Sequence, residues 1–165
     1  MSYLRAFAAS AALAAATIAA PAHAEEDLLS RMFTWWNAAF IADKPFERAG
    51  FAQYWADDAV LRIDGVAVAT GLDAITAHFR RIQSNVDRVE IVLPFAESMQ
   101  GKAASGGDRI YTYHIIRSRR GKEAQCMLAA GHADLVGGKI KEVALARTVI
   151  QPGSSPVAEA CWKSE

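Results

Sequence analysis

The chain carries two hydrophobic periods, one after the other. From Leu28 to Ile41 apolar residues recur at helical spacing, through Leu28, Met32, Trp35, Trp36 and Phe40. Glu25-Glu26-Asp27 puts acid ahead of them, where the helix macrodipole favours negative charge. Asp43-Lys44-Pro45 then breaks the run. A second helix is expected over 46–55, with Phe51, Tyr54 and Trp55 on one aromatic face. Ala56-Asp57-Asp58-Ala59 is expected to end it and shape a corner, because aspartate favours caps and turns over helix interiors. Val60, Leu61 and Ile63 favour an extended chain, and Asp64-Gly65 is a turn signal. Thr70-Gly71-Leu72-Asp73 has the form of a T-x-x-D cap. It opens a third helix, over about 71–84, that would bury Leu72, Ile75, Phe79 and Ile82.

After Asn85 the period falls to two. Val89, Ile91 and Leu93 read as a strand, and residues 100–108, QGKAASGGD, as a loop. Strands are expected over 109–118, 123–136 and 139–150. The first two are joined by Arg119-Arg120-Gly121-Lys122 and the last two by the Gly137-Gly138 hairpin turn. Pro152-Gly153-Ser154-Ser155-Pro156 ends regular structure. Helices first and antiparallel strands afterwards make an α+β chain with one domain over 25–150 and a tail over 151–165.

The run Tyr54-Trp55-Ala56-Asp57-Asp58-Ala59-Val60, followed by Gly71, Ala74-Ile75 and Phe79, resembles the start of the nuclear transport factor 2-like superfamily. That superfamily includes the SnoaL-like polyketide cyclases and the ketosteroid isomerases. The resemblance extends over nearly all of the chain after residue 24. It implies a cone: a long curved antiparallel sheet wrapped around three N-terminal helices, with a pocket at the open end. It also implies chemistry without metal or cofactor, and frequent pairing of two copies through the outer sheet face.

Candidate chemistry follows from that cone. Trp35, Trp36, Phe40, Tyr54 and Trp55 are the aromatics placed to line a pocket for a small hydrophobic or aromatic molecule, and helical spacing equally suits them to the core. Ketosteroid isomerases use an aspartate base, a helix tyrosine and a protonated late-strand aspartate. Aligned on Asp57-Asp58-Ala59, these fall at Ile63 (with Asp64 one residue late), at Trp35, and near Gly131 with His132 beside it. Two of the three groups are absent, which rules out that machinery. Asp64 remains a candidate base, provided an apolar setting raises its pKa, and otherwise is a solvated turn carboxylate. His114 alternates with Tyr113, so one of the two faces the cone. Asp64 with His114, or with a neighbouring histidine, is the minimal acid–base pair for a lyase, isomerase or cyclase. His78, beside Phe79, could border the pocket, and His132 shares a sheet face with Asp134. Asp57 and Asp58 are read as shaping the corner. A third reading is a non-catalytic module that dimerises through exposed Val92, Ile115 or Met127.

Composition changes one thing: the address. Met1-Ser2-Tyr3-Leu4-Arg5, the apolar run 6–20 and Pro21-Ala22-His23-Ala24 form a secretory leader with cleavage expected after Ala24. Periplasmic or secreted localisation follows. Losing residues 1–24 removes one charged side chain, Arg5, and moves the formal charge from 0 to −1. Nothing in that balance suggests nucleic acid or a membrane as partner. Arg117, Arg119, Arg120 and Lys122 flank Gly121 and read as a solvated hairpin end. Export would allow Cys126 and Cys161 to form a disulfide pinning the tail to the sheet; the alternative is a buried strand thiol and a free tail thiol. No metal-ligand spacing, phosphate loop or nucleophile elbow is present, so no cofactor is expected.

Overall fold

The computed structural model describes residues 26–42 and 44–151. The expected leader and the tail with Cys161 and Trp162 lie outside the described residues.

Helix α1 (Leu28–Ile41) starts where the sequence places it. The Asp27 carboxylate accepts hydrogen bonds from the backbone N–H of Leu29, at 2.9 Å, and of Ser30, at 3.0 Å. Its buried stripe is Leu29, Met32, Phe33, Trp36 and Phe40. Trp35 sits to one side of that stripe, against Phe46, Phe51 and Tyr54.

Helix α2 (Arg48–Phe51) is one turn, not the longer helix expected over 46–55. Residues 52–54 turn, and Trp55 already belongs to strand β1 (Trp55–Ile63). Asp57 and Asp58 therefore lie within a strand and end no helix. Pairing on either side overrides their turn preference: the strand Lys139–Val149 takes Trp55 and, from Val60 onward, β1 is held between the strands Val66–Thr70 and Lys139–Val149. The cost is an irregularity in the pairing between Trp55 and Val60, which leaves both carboxylates exposed. Arg48 bridges Asp57 at 2.7 Å and Asp73 at 2.8 Å, while Lys141 pairs with Asp58.

The Asp64-Gly65 turn leads to β2 (Val66–Thr70) and then to α3 (Leu72–Asn85). Gly71, not Thr70, takes the N-cap place of α3, without a side-chain cap, and Asp73 in its first turn serves Arg48. Leu72 and Ile75 are buried as expected; Phe79 and Ile82 are half-buried against the core.

The sheet is completed by β3 (Arg88–Ile91), β4 (Glu97–Lys102), β5 (Asp108–Arg120), β6 (Glu123–Val136) and β7 (Lys139–Val149). Strand β4 occupies part of the expected loop, which shrinks to 103–107. Strand order is β2-β1-β7-β6-β5-β3, with β4 also on β5. All pairs are antiparallel except β1 with β7, which is parallel. The result is α+β: a large curved, unclosed sheet around three helices. Asn37 ties α1 to β3, accepting from the Ile91 N–H at 2.9 Å and donating to the Ile91 carbonyl at 2.7 Å.

The core lies between the helices and the concave face. Phe46 is its aromatic hub, with ring centroids 5.6 Å from Trp36 and 5.3 Å from Phe51. A smaller cluster of Ile115, Cys126 and Ile150 is joined by Val92 and Leu128. Ile115 is thus buried and Val92 half-buried, while Met127 faces the concave side; none is the exposed apolar residue expected for a dimer face. Cys126 is not a free thiol.

Candidate ligand-binding cavity

The strands alternate, so β7 turns Val143, Leu145, Arg147 and Val149 to one side, and β1 turns Leu61 and Ile63 the same way. Those side chains, with Met32, Phe33 and Trp36 from α1 and His78, Phe79 and Ile82 from α3, enclose a cavity of ≈ 620 Å³. Its wall is apolar and includes Trp55 and Ile91. Polar groups gather where the lining is solvent-exposed: Asp64, Gln125, Arg147 and Thr148, with half-buried His78 and Ser118 nearby. This is the usual build of a small-molecule site, an apolar chamber with a few placed polar groups.

Asp64 stands at the mouth, in the left-handed region at φ 52, which aspartate tolerates. Its carboxylate accepts from the Arg147 backbone N–H at 2.8 Å and from Arg147 Nη2 at 2.8 Å. The Arg147 side chain, then that backbone bond, hold the carboxyl below its ordinary pKa. The condition for a base, a raised pKa, is therefore not met. A carboxylate so paired is ionised and already satisfied.

His114 is fully buried but lines no part of the cavity. It does face inward, as one of the Tyr113–His114 pair had to. Its ring packs between Phe33, at 5.8 Å, and Phe95, at 5.3 Å. Nδ1 is 3.2 Å from Thr112 Oγ1, and Nε2 has no partner. Burial pushes its pKa down to about 4, so the ring is neutral. The acid–base pair expected of Asp64 and His114 is not assembled, because one sits at the mouth and the other inside the core.

Of the aromatic candidates, Trp36 and Trp55 reach the cavity wall. Trp35, Phe40 and Tyr54 do not; they pack on α2 and the 44–46 segment instead. His78 does line the cavity. Its Nδ1 accepts from Arg81 Nη2 at 3.2 Å, leaving Nε2 to carry the proton. Desolvation first, then the charges of Arg81 and Arg147, lower its pKa. His132 lies 6.1 Å from the Tyr111 ring, and Asp134 is clamped by Arg109 at 2.5 Å and 2.8 Å. Neither lines the cavity.

Arg147 is the residue the sequence reading missed. Its signal was the period of two through Val143, Leu145, Arg147 and Val149, which places an arginine on an otherwise apolar inner face. Among the described residues, no three His, Cys, Asp or Glu side chains are grouped to hold a metal ion, and no helix is long and apolar enough to cross a membrane.

No protein-family model matches the sequence, and no curated protein matches it. Its shape does have counterparts. A protein of Anabaena variabilis ATCC 29413 with a nuclear transport factor 2-like description aligns with TM-score 0.56 at 11% identity, over 78% of this chain and 90% of its own. One from Jannaschia sp. CCS1, described as a SnoaL-like polyketide cyclase, aligns with TM-score 0.55 at 11% identity, over 84% and 91%. One from Catenulispora acidiphila DSM 44928 with a ketosteroid isomerase-like fold, in complex with trimethylamine, gives 0.52 at 13%, over 71% and 83%. The fold is nuclear transport factor 2-like. Within this nuclear transport factor 2-like cone, a Cβ built at Gly131, near which the resemblance would put the isomerases' late aspartate, would lie 2.0 Å from the Ala144 carbonyl oxygen. Backbone fills that position, so even a small side chain is excluded.

Proposed function

We propose that this protein is an exported domain that binds a small hydrophobic or aromatic molecule in its cone cavity. The observation that carries the proposal is the chamber of ≈ 620 Å³ walled by Trp36, Trp55, Leu61, Ile91 and Val143. Burying apolar ligand surface against such a wall yields about 25 cal/mol per Å² before the costs of association. A neighbour of the same fold is in complex with a small organic molecule, trimethylamine, which is consistent with a cone that takes small ligands. Export rests on the leader pattern of residues 1–24.

Catalysis by Asp64 and His114, as a cofactor-independent lyase, isomerase or cyclase, has less support, since Asp64 is bound by Arg147 and His114 is away from the chamber. One observation favours a reduced form of it: His78 lines the chamber as a neutral imidazole and could exchange a proton with a ligand. A dimerising module has less support still, because Ile115 is already buried within the chain.

The test begins with mass spectrometry of small molecules that co-purify with the full chain. It continues with titration of N-phenyl-1-naphthylamine, a neutral apolar fluorophore. Saturable binding is expected, weakened at least roughly tenfold by Ile82→Trp, which would fill the chamber from its half-buried helical face. Circular dichroism establishes that the variant is folded. No saturable binding, or equal binding by a folded Ile82→Trp protein, would sink the proposal.

A further inference from the structure

A second hollow, of ≈ 550 Å³, opens beside the first at the β5–β6 hairpin. Four residues line both: Val86, Ser118, Gln125 and Val149. The two spaces therefore adjoin along a shared wall. Their chemistry differs. The first is apolar; the second adds Arg119, Arg120, Glu123 and Gln151.

The charge of the second hollow is what the apolar chamber lacks. At the chamber's own mouth, Arg147 is neutralised by Asp64. The lining of the second hollow includes two arginines and one glutamate, with Arg119 and Arg120 leaving β5 on opposite faces. Arg119 and Arg120 are both exposed, and among the described residues neither has an ion-pair partner. Cross-strand pairing sets Arg120 opposite Glu123 and Arg119 opposite Ala124. Across its other ladder Arg119 stands opposite Arg88, so no carboxylate faces it from either neighbouring strand. Its backbone carbonyl accepts from the Asp87 N–H at 2.9 Å, and the Asp87 carboxylate accepts from the Gly121 N–H at 2.6 Å. Those bonds pin the hairpin, so the two arginines are carried on a fixed turn. A guanidinium pairs best with a planar carboxylate, which it can grip through two parallel N–H groups.

We infer that the ligand is an amphipathic monoanion, with its apolar body in the chamber and a carboxylate head drawn to the positive charge of Arg119 and Arg120 at the β5–β6 hairpin. This rests on the proposed apolar binding and adds a polarity and an orientation to it. Ser118 and Gln125, at the junction, supply hydrogen bonds where the body gives way to the head. Gln125 in particular is exposed and belongs to both spaces.

The test compares three probes of equal chain length: dodecanoate, dodecanol and dodecyltrimethylammonium. Each is titrated below its critical micelle concentration into the full chain, with tryptophan fluorescence as the readout. Dodecanoate is expected to bind roughly tenfold tighter than dodecanol and to weaken as salt rises, with the cation weakest. The doubly substituted Arg119→Gln/Arg120→Gln protein should lose that preference for dodecanoate and keep its affinity for dodecanol within about twofold, since the two sites are exposed. Arg119→Lys/Arg120→Lys should retain most of the preference. If dodecanol and dodecanoate bind equally to the wild-type chain, or if the double Gln variant keeps the preference, the carboxylate subsite is wrong while the apolar chamber stands. If none of the three binds, both readings fall.

Discussion

Arg147 holds Asp64 with its backbone as well as its side chain. The Asp64 carboxylate takes the Arg147 N–H at 2.8 Å and Nη2 at 2.8 Å, while the Asp64 N–H donates to the Leu145 carbonyl at 2.7 Å. The β1–β2 turn is thereby locked onto β7 at the lip of the chamber. Two residues 83 apart in sequence make one structural corner.

That corner predicts a graded response. Asp64→Asn should be tolerated, because asparagine accepts the positive φ and can still receive the Arg147 backbone N–H. Asp64→Val should lower the melting temperature clearly more, because a β-branched residue resists φ 52 and offers no acceptor. Any turnover assigned to the protein should survive Asp64→Asn. Thermal denaturation of the two variants, side by side, checks the first two statements, and equal melting temperatures would show that the corner contributes nothing.

The same corner shows what a sequence can and cannot announce. Asp64-Gly65 was legible as a turn, and the Gly137-Gly138 hairpin likewise, because turns are local and their residues are chemically distinct. The order of helices first and strands afterwards was legible too, from the change of period after Asn85, while the curvature of the sheet was implied only by the resemblance to the nuclear transport factor 2-like superfamily. The boundary at Trp55 was not. Tyr54 and Trp55 fit a helical face by spacing, yet β7 claims Trp55 opposite Ile140, and that competition is settled by contacts far along the chain. The inward side of the cone was legible in its parity: His114 and Tyr113 had to face opposite ways. Whether an inward histidine meets a hollow or a packed core depends on what fills the volume opposite. For His114 that is Phe33 and Phe95.

Trp35 and Gly50 give a second prediction. A Cβ on Gly50 would lie 2.3 Å from Trp35 Cζ2, so the indole lies directly over the glycine. Phe46, Phe51 and Tyr54 hold the ring there. Gly50→Ala should destabilise by about 1–3 kcal/mol through overpacking, against its favourable helix propensity. Trp35→Leu should relieve the clash, so the two substitutions should be strongly non-additive in a double-mutant cycle. Additive effects would mean that the ring moves aside freely. Binding of apolar probes should change little in any of these variants, since Trp35 is outside the chamber wall.

Gly131 tests the curvature of the sheet. An added Cβ would lie 2.0 Å from the Ala144 carbonyl oxygen and 2.7 Å from Leu145 Cδ2. The first is backbone and cannot rotate away. Gly131→Ala should therefore push β7 off β6 and destabilise by more than about 3 kcal/mol. Leu145 and Arg147 ride on that segment, so probe binding should weaken along with stability. Chemical denaturation and probe titration measure the two effects. A fully stable Gly131→Ala protein would mean that the close approach is absent in solution.

His114 supplies the prediction in pH. Unfolded, its imidazole titrates near 6.5; folded, burial holds it down at about 4. Between those values the unfolded chain binds a proton that the folded chain refuses. The stability this group permits is complete above pH 6.5 and is lost as pH falls toward 4. The interval corresponds to about 3 kcal/mol. His78, also lowered, contributes with the same sign, so the wild-type slope alone does not isolate His114. Comparison with His114→Leu does. Leucine cannot titrate, suits the apolar site between Phe33 and Phe95, and removes an Nε2 that has no partner. Urea unfolding from pH 7.5 to pH 4 should show a shallower loss of stability for the variant, with the curves diverging below about pH 6.5. Parallel curves through that range would mean that the histidine reaches solvent, and that the packing between the two phenylalanines is looser than the structure draws it.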